Sequence, residues 1–171
     1  MAAGLPSIWG CLSGSDHLIF VTVGTQLPFS RLLHFMATWA SDRQEKVILQ
    51  TGDQGDYAGC ESFQTLSKSQ FQDTMQQARI VVCHAGIGSI LSARDANKPA
   101  ILVPRRACFS EHRNDHQVST ATAFEGRRGL RVAWDMEDIP RLLLEEIETP
   151  DASDGANYDR LISGVRDFVT A

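Results

Sequence analysis

Ile80-Val81-Val82-Cys83-His84-Ala85-Gly86-Ile87-Gly88-Ser89 decides the reading of this chain. Its opening apolar run reads as a strand covered on both faces, because a strand with one wet face would alternate apolar and polar residues. A polar turn with two glycines follows at once. A helix then runs to about Ala96 and stops before Asn97-Lys98-Pro99, where proline cannot continue it. This sequence of elements puts the unbonded N–H groups of a helix start at the carboxyl end of a strand, with little side-chain bulk in the way.

The same alternation extends upstream and downstream. Leu18 to Val23 is a continuous apolar strand, ended by Gly24-Thr25, and Leu32, Leu33, Phe35, Met36 and Trp39 follow at helical spacing. Val47-Ile48-Leu49 is a short strand, and the Gly/Asp-rich residues 51–62 read as loop. Residues 63–78 read as a short strand or loop and then a helix carrying Phe71, Met75 and Ala78. Downstream, Ala100 to Val103 is a strand closed by Pro104; residues 105–113 are an Arg-rich loop and 114–125 a helix ending near Gly126. Leu130 to Ala133 forms the last strand, and Asp135 is the expected N-cap of a helix burying Ile139, Leu142, Leu143 and Ile147. A final amphipathic helix places Tyr158, Leu161, Ile162, Val165 and Phe168 on one face, which could pack at home or dock on a partner.

Strands alternating with helices make βαβ units, so the fold class is α/β, a Rossmann-like doubly wound parallel sheet. Residues 18–171 form one domain, and residues 1–17 are expected to be an extension outside it. Ligands of such sheets bind at the carboxyl ends of the strands, which draws attention to loops 24–29, 51–59, 84–89 and 104–117.

Composition narrows the function classes. The 171 residues carry 16 Lys and Arg against 21 Asp and Glu, a net charge of -5, which argues against a nucleic-acid partner. No apolar run approaches the roughly eighteen residues of a membrane helix. No Lys or Arg precedes Arg31, so the start lacks the charged region of a secretory signal. The scattered Cys11, Cys60, Cys83 and Cys108 contain no CxxC pair and suit a reduced, cytoplasmic protein, with Cys83 and Cys108 expected to be buried.

Gly86 and Gly88 open a seat for a phosphate or diphosphate at the helix start, with Ser89 and His84 as added donors. The same residues would also serve a tight βα turn with no ligand. The dinucleotide fingerprint fails because Leu91 stands where its third glycine belongs, and no P-loop Gly-Lys-Ser/Thr occurs. Arg105 and Arg106 offer forked donors for phosphate or carboxylate, and Glu111, Asp115 and Gln117 could hold sugar hydroxyls. A solvated charged loop capped by Asn114 or Asp115 explains the same residues. His112 and His116 are four apart, but a zinc site would need a third ligand such as Glu111 or Cys108 and there is no HExxH, so no metal is expected. Gly24 and Thr25 close the first strand with groups suited to a diphosphate or second substrate, or simply to a turn. Gln50-Thr51-Gly52 has the same character.

Together these segments resemble the C-terminal, donor-binding domain of family 28 glycosyltransferases over about residues 18–145. Phe20 to Phe29 is similar to the opening strand of its free-standing members, Cys83 to Ser89 to an HAGxGS turn, and Asp115-His116-Gln117 to a (D/N)HQ motif. Val103-Pro104-Arg105-Arg106 and Glu111-His112 resemble bacterial exopolysaccharide proteins. The resemblance implies a single C-terminal half of a GT-B enzyme: a UDP-sugar-binding subunit of a two-chain inverting glycosyltransferase, acting with a membrane-associated subunit that binds a lipid-linked acceptor. A glucuronosyl, glucosyl or N-acetylglucosaminyl residue would be transferred, as in exopolysaccharide assembly or the eukaryotic dolichyl-diphosphate N-acetylglucosaminyltransferase.

It further implies that Gly86, Gly88 and Ser89 face the diphosphate, that Asp115, His116 and Gln117 reach the donor sugar or its phosphate, and that Gly24 and Thr25 line the cleft. No metal or other cofactor is implied. The general base is expected on the partner chain, with His84 the one candidate here. Arg105 would meet charge on the leaving diphosphate, and the Arg105-Arg106 pair suggests an acidic sugar. Relatives often carry an acidic residue where this chain has Ser92, so the ribose would fall to Ser92, Asp95 or Glu111. A non-catalytic nucleotide-sugar-binding regulator and a self-sufficient homodimeric enzyme remain as other readings.

Overall fold

In the computed structural model, which describes residues 18–150 apart from Gln44 and Gln54 together with positions 163 and 164, six parallel strands form one sheet in the order β3-β2-β1-β4-β5-β6. The elements follow the chain as β1 (Leu18–Thr22), α1 (Ser30–Ser41), β2 (Lys46–Gln50), β3 (Glu61–Phe63), α2 (Lys68–Gln77), β4 (Ile80–His84), α3 (Ile87–Asp95), β5 (Ala100–Val103), α4 (His116–Phe124), β6 (Leu130–Val132) and α5 (Asp138–Leu144). The expected extension 1–17 and, but for positions 163 and 164, the expected final helix around Tyr158 to Phe168 lie outside the described residues.

Every residue of β1 and β5 is buried, as their unbroken apolar runs require. Successive side chains point to opposite faces. Ile19, Val21 and Val23 pack with Leu32, Leu33 and Met36 of α1 and Ile139, Leu142 and Leu143 of α5. Phe20 faces the other way, into a second layer with Met75 of α2, Ile90 of α3 and Phe124 of α4, and meets Phe71 edge-on at 5.4 Å.

The chain winds outward from β1 to β2 and β3, then returns across β1 to begin β4 and winds the other way. The helices following β1 and β4 leave on opposite faces, so a crevice opens beyond the carboxyl ends of these two neighbours. Among the described residues, no helix is long and apolar enough to cross a membrane.

Local chemistry fixes the boundaries that matter. α3 ends where Asn97 adopts φ 55°, a left-handed conformation tolerated by Asn, just before Pro99. α2 starts with a reciprocal cap in which Ser67 Oγ accepts the Gln70 N–H and Gln70 Oε1 accepts the Ser67 N–H.

Four expectations need correction. β3 lies at 61–63, beginning inside the stretch read as loop (51–62) and ending at the first residue of the stretch read as a short strand or loop before a helix, because three half-buried residues leave no periodicity to read. α4 begins at His116 rather than 114, since Asp115 Oδ1 accepts the Ala107 N–H instead of capping its own helix. Asp135 is not the N-cap of α5. Glu137 occupies that position without a side-chain bond, while the Asp135 N–H donates to Asp138 Oδ2 in the preceding turn. Cys108 is exposed on a 3-10 turn spanning Ala107–Phe109, because the strand ends at Val103 and the chain has already left the core; Cys83 is buried.

Phe20 is fully enclosed at the middle of the sheet. Phe20→Ala should therefore lower unfolding free energy by about 3–5 kcal/mol. Urea titration would show this as a lower midpoint with an unchanged slope.

Candidate functional site

Three strand ends make the floor of the crevice. Thr22 ends β1, Gln50 ends β2 and His84 ends β4. The Thr22 hydroxyl donates to Gln50 Oε1 at 2.6 Å and accepts the Gly24 N–H at 3.3 Å. Beside them the His84 ring lies between two glycines. A Cβ at Gly24 would come within 2.8 Å of His84 Cε1, and one at Gly86 within 2.3 Å of His84 Nε2. Gly24 also needs its φ of 73° for the chain to turn off β1. These two glycines therefore make room for an imidazole inside the protein. Gly88 differs: a Cβ there would meet nothing within 4 Å.

α3 starts directly above this floor. Its N-cap is Gly86, which has no side chain to satisfy the first N–H groups. Ser89 N–H turns back to the Gly86 carbonyl at 3.0 Å, but the helix provides no acceptor for the amides of Ile87 and Gly88. They stand with the positive end of the helix dipole beside the open space at Gly88. The Ser89 hydroxyl lies 3.4 Å from His84 Nδ1.

Burial, the neighbouring Arg105 and, to a lesser degree, His112 lower the His84 pKa from 6.5 to about 4, against the opposing effect of a hydrogen bond to the Thr22 backbone. The ring is thus neutral at pH 7.

Arg105 holds the opposite wall. It is 3% exposed, and its Nη2 donates to the carbonyls of Val23 at 2.8 Å and Leu27 at 2.5 Å. Its own N–H donates to Gln117 Oε1 at 3.1 Å, and its guanidinium lies 5.0 Å from the Phe29 ring centre. Burial lowers its pKa to about 10, opposed by Glu111, and its Nε has no hydrogen-bond partner. The residue fastens the 23–27 segment to the end of β5.

The resulting cleft encloses about 700 Å³. Of the residues expected to act here, it gathers Gly24, Thr25, His84, Gly86, Gly88, Ser89, Arg105 and Gln117. It does not gather Arg106, Glu111, Asp115 or His116. Arg106 turns away to the Trp134 carbonyl, with Asp135 3.7 Å from its Nη2. Glu111 receives a two-pronged pair from Arg31, at 2.6 and 2.9 Å, and also accepts the Arg106 N–H. Asp115 holds the 3-10 turn through Ala107, and His116 Nε2 meets Asn114 Nδ2. Much of the polar 105–117 segment is thus spent on holding itself in place.

The cleft also contains Gln50, which shares from sequence the character of Gly24 and Thr25, together with Lys68, Phe71 and His112, which the sequence did not assign to it. Lys68 sits in the first turn of α2, directly after β3, and placing that short strand correctly would have put Lys68 at the sheet's carboxyl edge. Ser92 lines the cleft with its hydroxyl donated to the Gly88 carbonyl, and loop 51–59 does not line it. Among the described residues, no Asp or Glu lines the cleft, although the whole chain is acidic. Among the described residues, no group of three His, Cys, Asp or Glu is placed to hold a metal ion. The arrangement offers amide, ammonium and imidazole groups and suits an anion rich in acceptor oxygens.

Comparison with known proteins agrees with the architecture. The family model of the glycosyltransferase family 28 C-terminal domain matches residues 18–157. No curated protein matches. Among solved structures, the glycotransferase of kitacinnamycin is similar at 21% identity and a TM-score of 0.61, over 96% of this chain and 43% of that one. The glycosyltransferase SnogD from Streptomyces nogalater is similar at 18% identity and a TM-score of 0.54, again over 96% of this chain and 43% of that one. This chain thus spans under half the length of those proteins. The solution structure of ALG13 is similar at 19% identity and a TM-score of 0.55, over 84% of this chain and 94% of that one. At these identities the likeness to solved structures is one of fold.

The glycines separate experimentally. Gly86→Ala should displace the His84 ring and lower the melting temperature, whereas Gly88→Ala should leave it unchanged or raise it, alanine being about 1 kcal/mol better than glycine in a helix. Thermal unfolding measures both. The depressed His84 pKa also has a sign: the folded chain holds this proton less tightly than the unfolded one, so its stabilising contribution is complete above pH 6.5 and is lost as pH falls toward about 4. In His84→Gln, stability measured by urea titration should fall less steeply across that window.

Proposed function

The chain belongs to glycosyltransferase family 28, as the C-terminal domain of that family, and from that premise we propose that it is the nucleotide-sugar-binding subunit of a two-chain inverting glycosyltransferase. In this reading it binds a UDP-sugar and passes a hexosyl residue (glucuronosyl, glucosyl or N-acetylglucosaminyl) to a lipid-linked acceptor held by a membrane-associated partner. One observation carries it: an anion-seeking cleft, lined by no Asp or Glu among the described residues of an acidic chain, opens at the switch between β1 and β4 under the uncapped start of α3. The partner is supported by one further observation: the ALG13 structure consists almost wholly of a comparable unit.

The chemistry follows from the placement of groups. The diphosphate lies against the amides of Ile87 and Gly88, with the Ser89 hydroxyl and the neutral His84 ring beneath it. The acceptor hydroxyl attacks the anomeric carbon from the side opposite the diphosphate, and UDP departs as the bond breaks. Charge accumulating on the leaving oxygens is met by fixed N–H dipoles already aimed at it, with Lys68 on the same cleft wall. These donors need not reorganise as the charge develops. His84 acts in binding: an anion beside the ring favours its protonated form, so binding draws its pKa upward. The base that deprotonates the acceptor comes from the partner.

The two arms of the cleft differ in character. Leu66 and Phe71 make one side apolar, suited to the nucleoside, while Thr25, His112 and Gln117 offer hydrogen bonds on the other, suited to the sugar. Arg106 does not join Arg105 in the cleft, so the paired-arginine argument for an acidic sugar loses one of its two members.

Calorimetric titration with UDP tests the reading. Wild-type protein should bind UDP with pyrophosphate as a competitor. Gly88→Val should weaken binding at least about tenfold, or ~1.4 kcal/mol, by filling the open space beside the helix start, without lowering the melting temperature. Absence of UDP binding at millimolar concentration, with or without a partner, would remove the proposal.

A further inference from the structure

Gln50 is a polar residue at the end of an otherwise apolar run, Val47-Ile48-Leu49, in a strand buried between two neighbours. It is 4% exposed and borders the cleft. A side-chain amide in such a position is costly unless both of its ends find partners.

One end is accounted for. The Gly24 peptide N–H, which can only donate, points at Thr22 Oγ1. The Thr22 hydroxyl sends its own hydrogen to Gln50 Oε1 at 2.6 Å. The amide oxygen is thereby occupied, and the group left to Gln50 is its NH2, with two donors and no acceptor. No described side chain or carbonyl is placed to receive them, and the nitrogen is not among the fully enclosed polar atoms lacking partners. It borders the cleft, where the receiver has to come from outside the chain.

Gln117 repeats the device across the floor. The Arg105 peptide N–H, again a donor only, bonds its Oε1 at 3.1 Å and leaves its NH2 for the cleft. Two amides, one at the end of β2 and one in the first turn of α4, are thus both locked with nitrogen presented and oxygen withdrawn.

We propose that Gln50 is a ligand-binding residue whose side-chain NH2 donates a hydrogen bond to an acceptor oxygen of the nucleoside diphosphate in the cleft. This rests on the reading of the cleft as a nucleoside-diphosphate site. Thr22 is its positioning residue, because the hydroxyl decides which way the amide faces.

UDP titration of the full chain tests this with three variants. Gln50→Met keeps length and removes the donors, and should bind UDP about five- to tenfold more weakly, the upper part of the range for losing one ordinary hydrogen bond. Gln50→Glu keeps shape but offers only acceptors and a negative charge. It should bind at least about thirtyfold more weakly, and the loss should shrink as salt rises from about 0.05 to 0.5 M, where screening shortens the reach of the charge. Thr22→Val frees the amide to rotate and should cost about two- to fourfold, within the span of a single neutral hydrogen bond.

A second readout needs no variant of its own to bind ligand. The Gln50 side-chain NH2 signals of wild-type protein, assigned by nitrogen–proton correlation spectroscopy, should shift on saturation with UDP. Gln50→Met binding within twofold of wild type, or NH2 signals that do not move on saturation, would overturn the proposal while leaving the site itself standing. Failure of wild-type protein to bind UDP at all would instead remove the underlying reading, and this one with it.

Discussion

The structure depends on β1 being buried on both faces at the centre of the sheet. A strand enclosed in that way can expose polar groups only at its ends. Its carboxyl end is where β2 and β4 flank it and the helices leave on opposite sides. Thr22, Gln50 and His84 are therefore brought to one floor by the sheet's register, in which Thr22 lies opposite both Gln50 and Cys83. The site is a consequence of a core constraint: the same packing that hides Phe20 and Val21 leaves these three polar termini together.

That floor is closed from the far side by the segment after β5. Its many charged residues suggest a ligand-gripping loop, but most of them grip the protein. Glu111 holds Arg31, Asp115 holds the turn at Ala107, and Arg105 holds the carbonyls of Val23 and Leu27. Groups already committed to fixed partners lose little entropy when a ligand arrives, because their rotamers are set beforehand. Rigid walls around a short row of free donors suit a site that has to be ready before the anion binds.

The sheet was legible in the sequence because β1, β4 and β5 are continuous apolar runs bounded by Gly or Pro, and no other element produces that pattern at that length. β3 was not legible, since three half-buried residues at a sheet edge carry no period. The glycine turn at 84–89 and the cleft residues Gly24, Thr25 and Gln117 could be placed from topology alone, because a parallel sheet gathers such loops at one edge. Side-chain direction could not be placed. Arg105 and Arg106 are adjacent yet diverge, one into the floor and one to Trp134, because successive residues in extended backbone point to opposite sides. His112 lines the cleft and His116, the first residue of α4, does not. Nothing in residue type distinguishes a glycine that admits His84 from one that faces open space.

The two-pronged contact between Arg31 and Glu111 joins residues eighty positions apart, and the Arg105 contact with Val23 spans eighty-two. The segment after β5 is consequently no independent cassette. Transplanting it between relatives would sever both ties unless the start of α1 and the turn after β1 were carried along. Natural or engineered diversification at this end of the fold should move in linked blocks, with the two distant stretches recombining as one inherited unit.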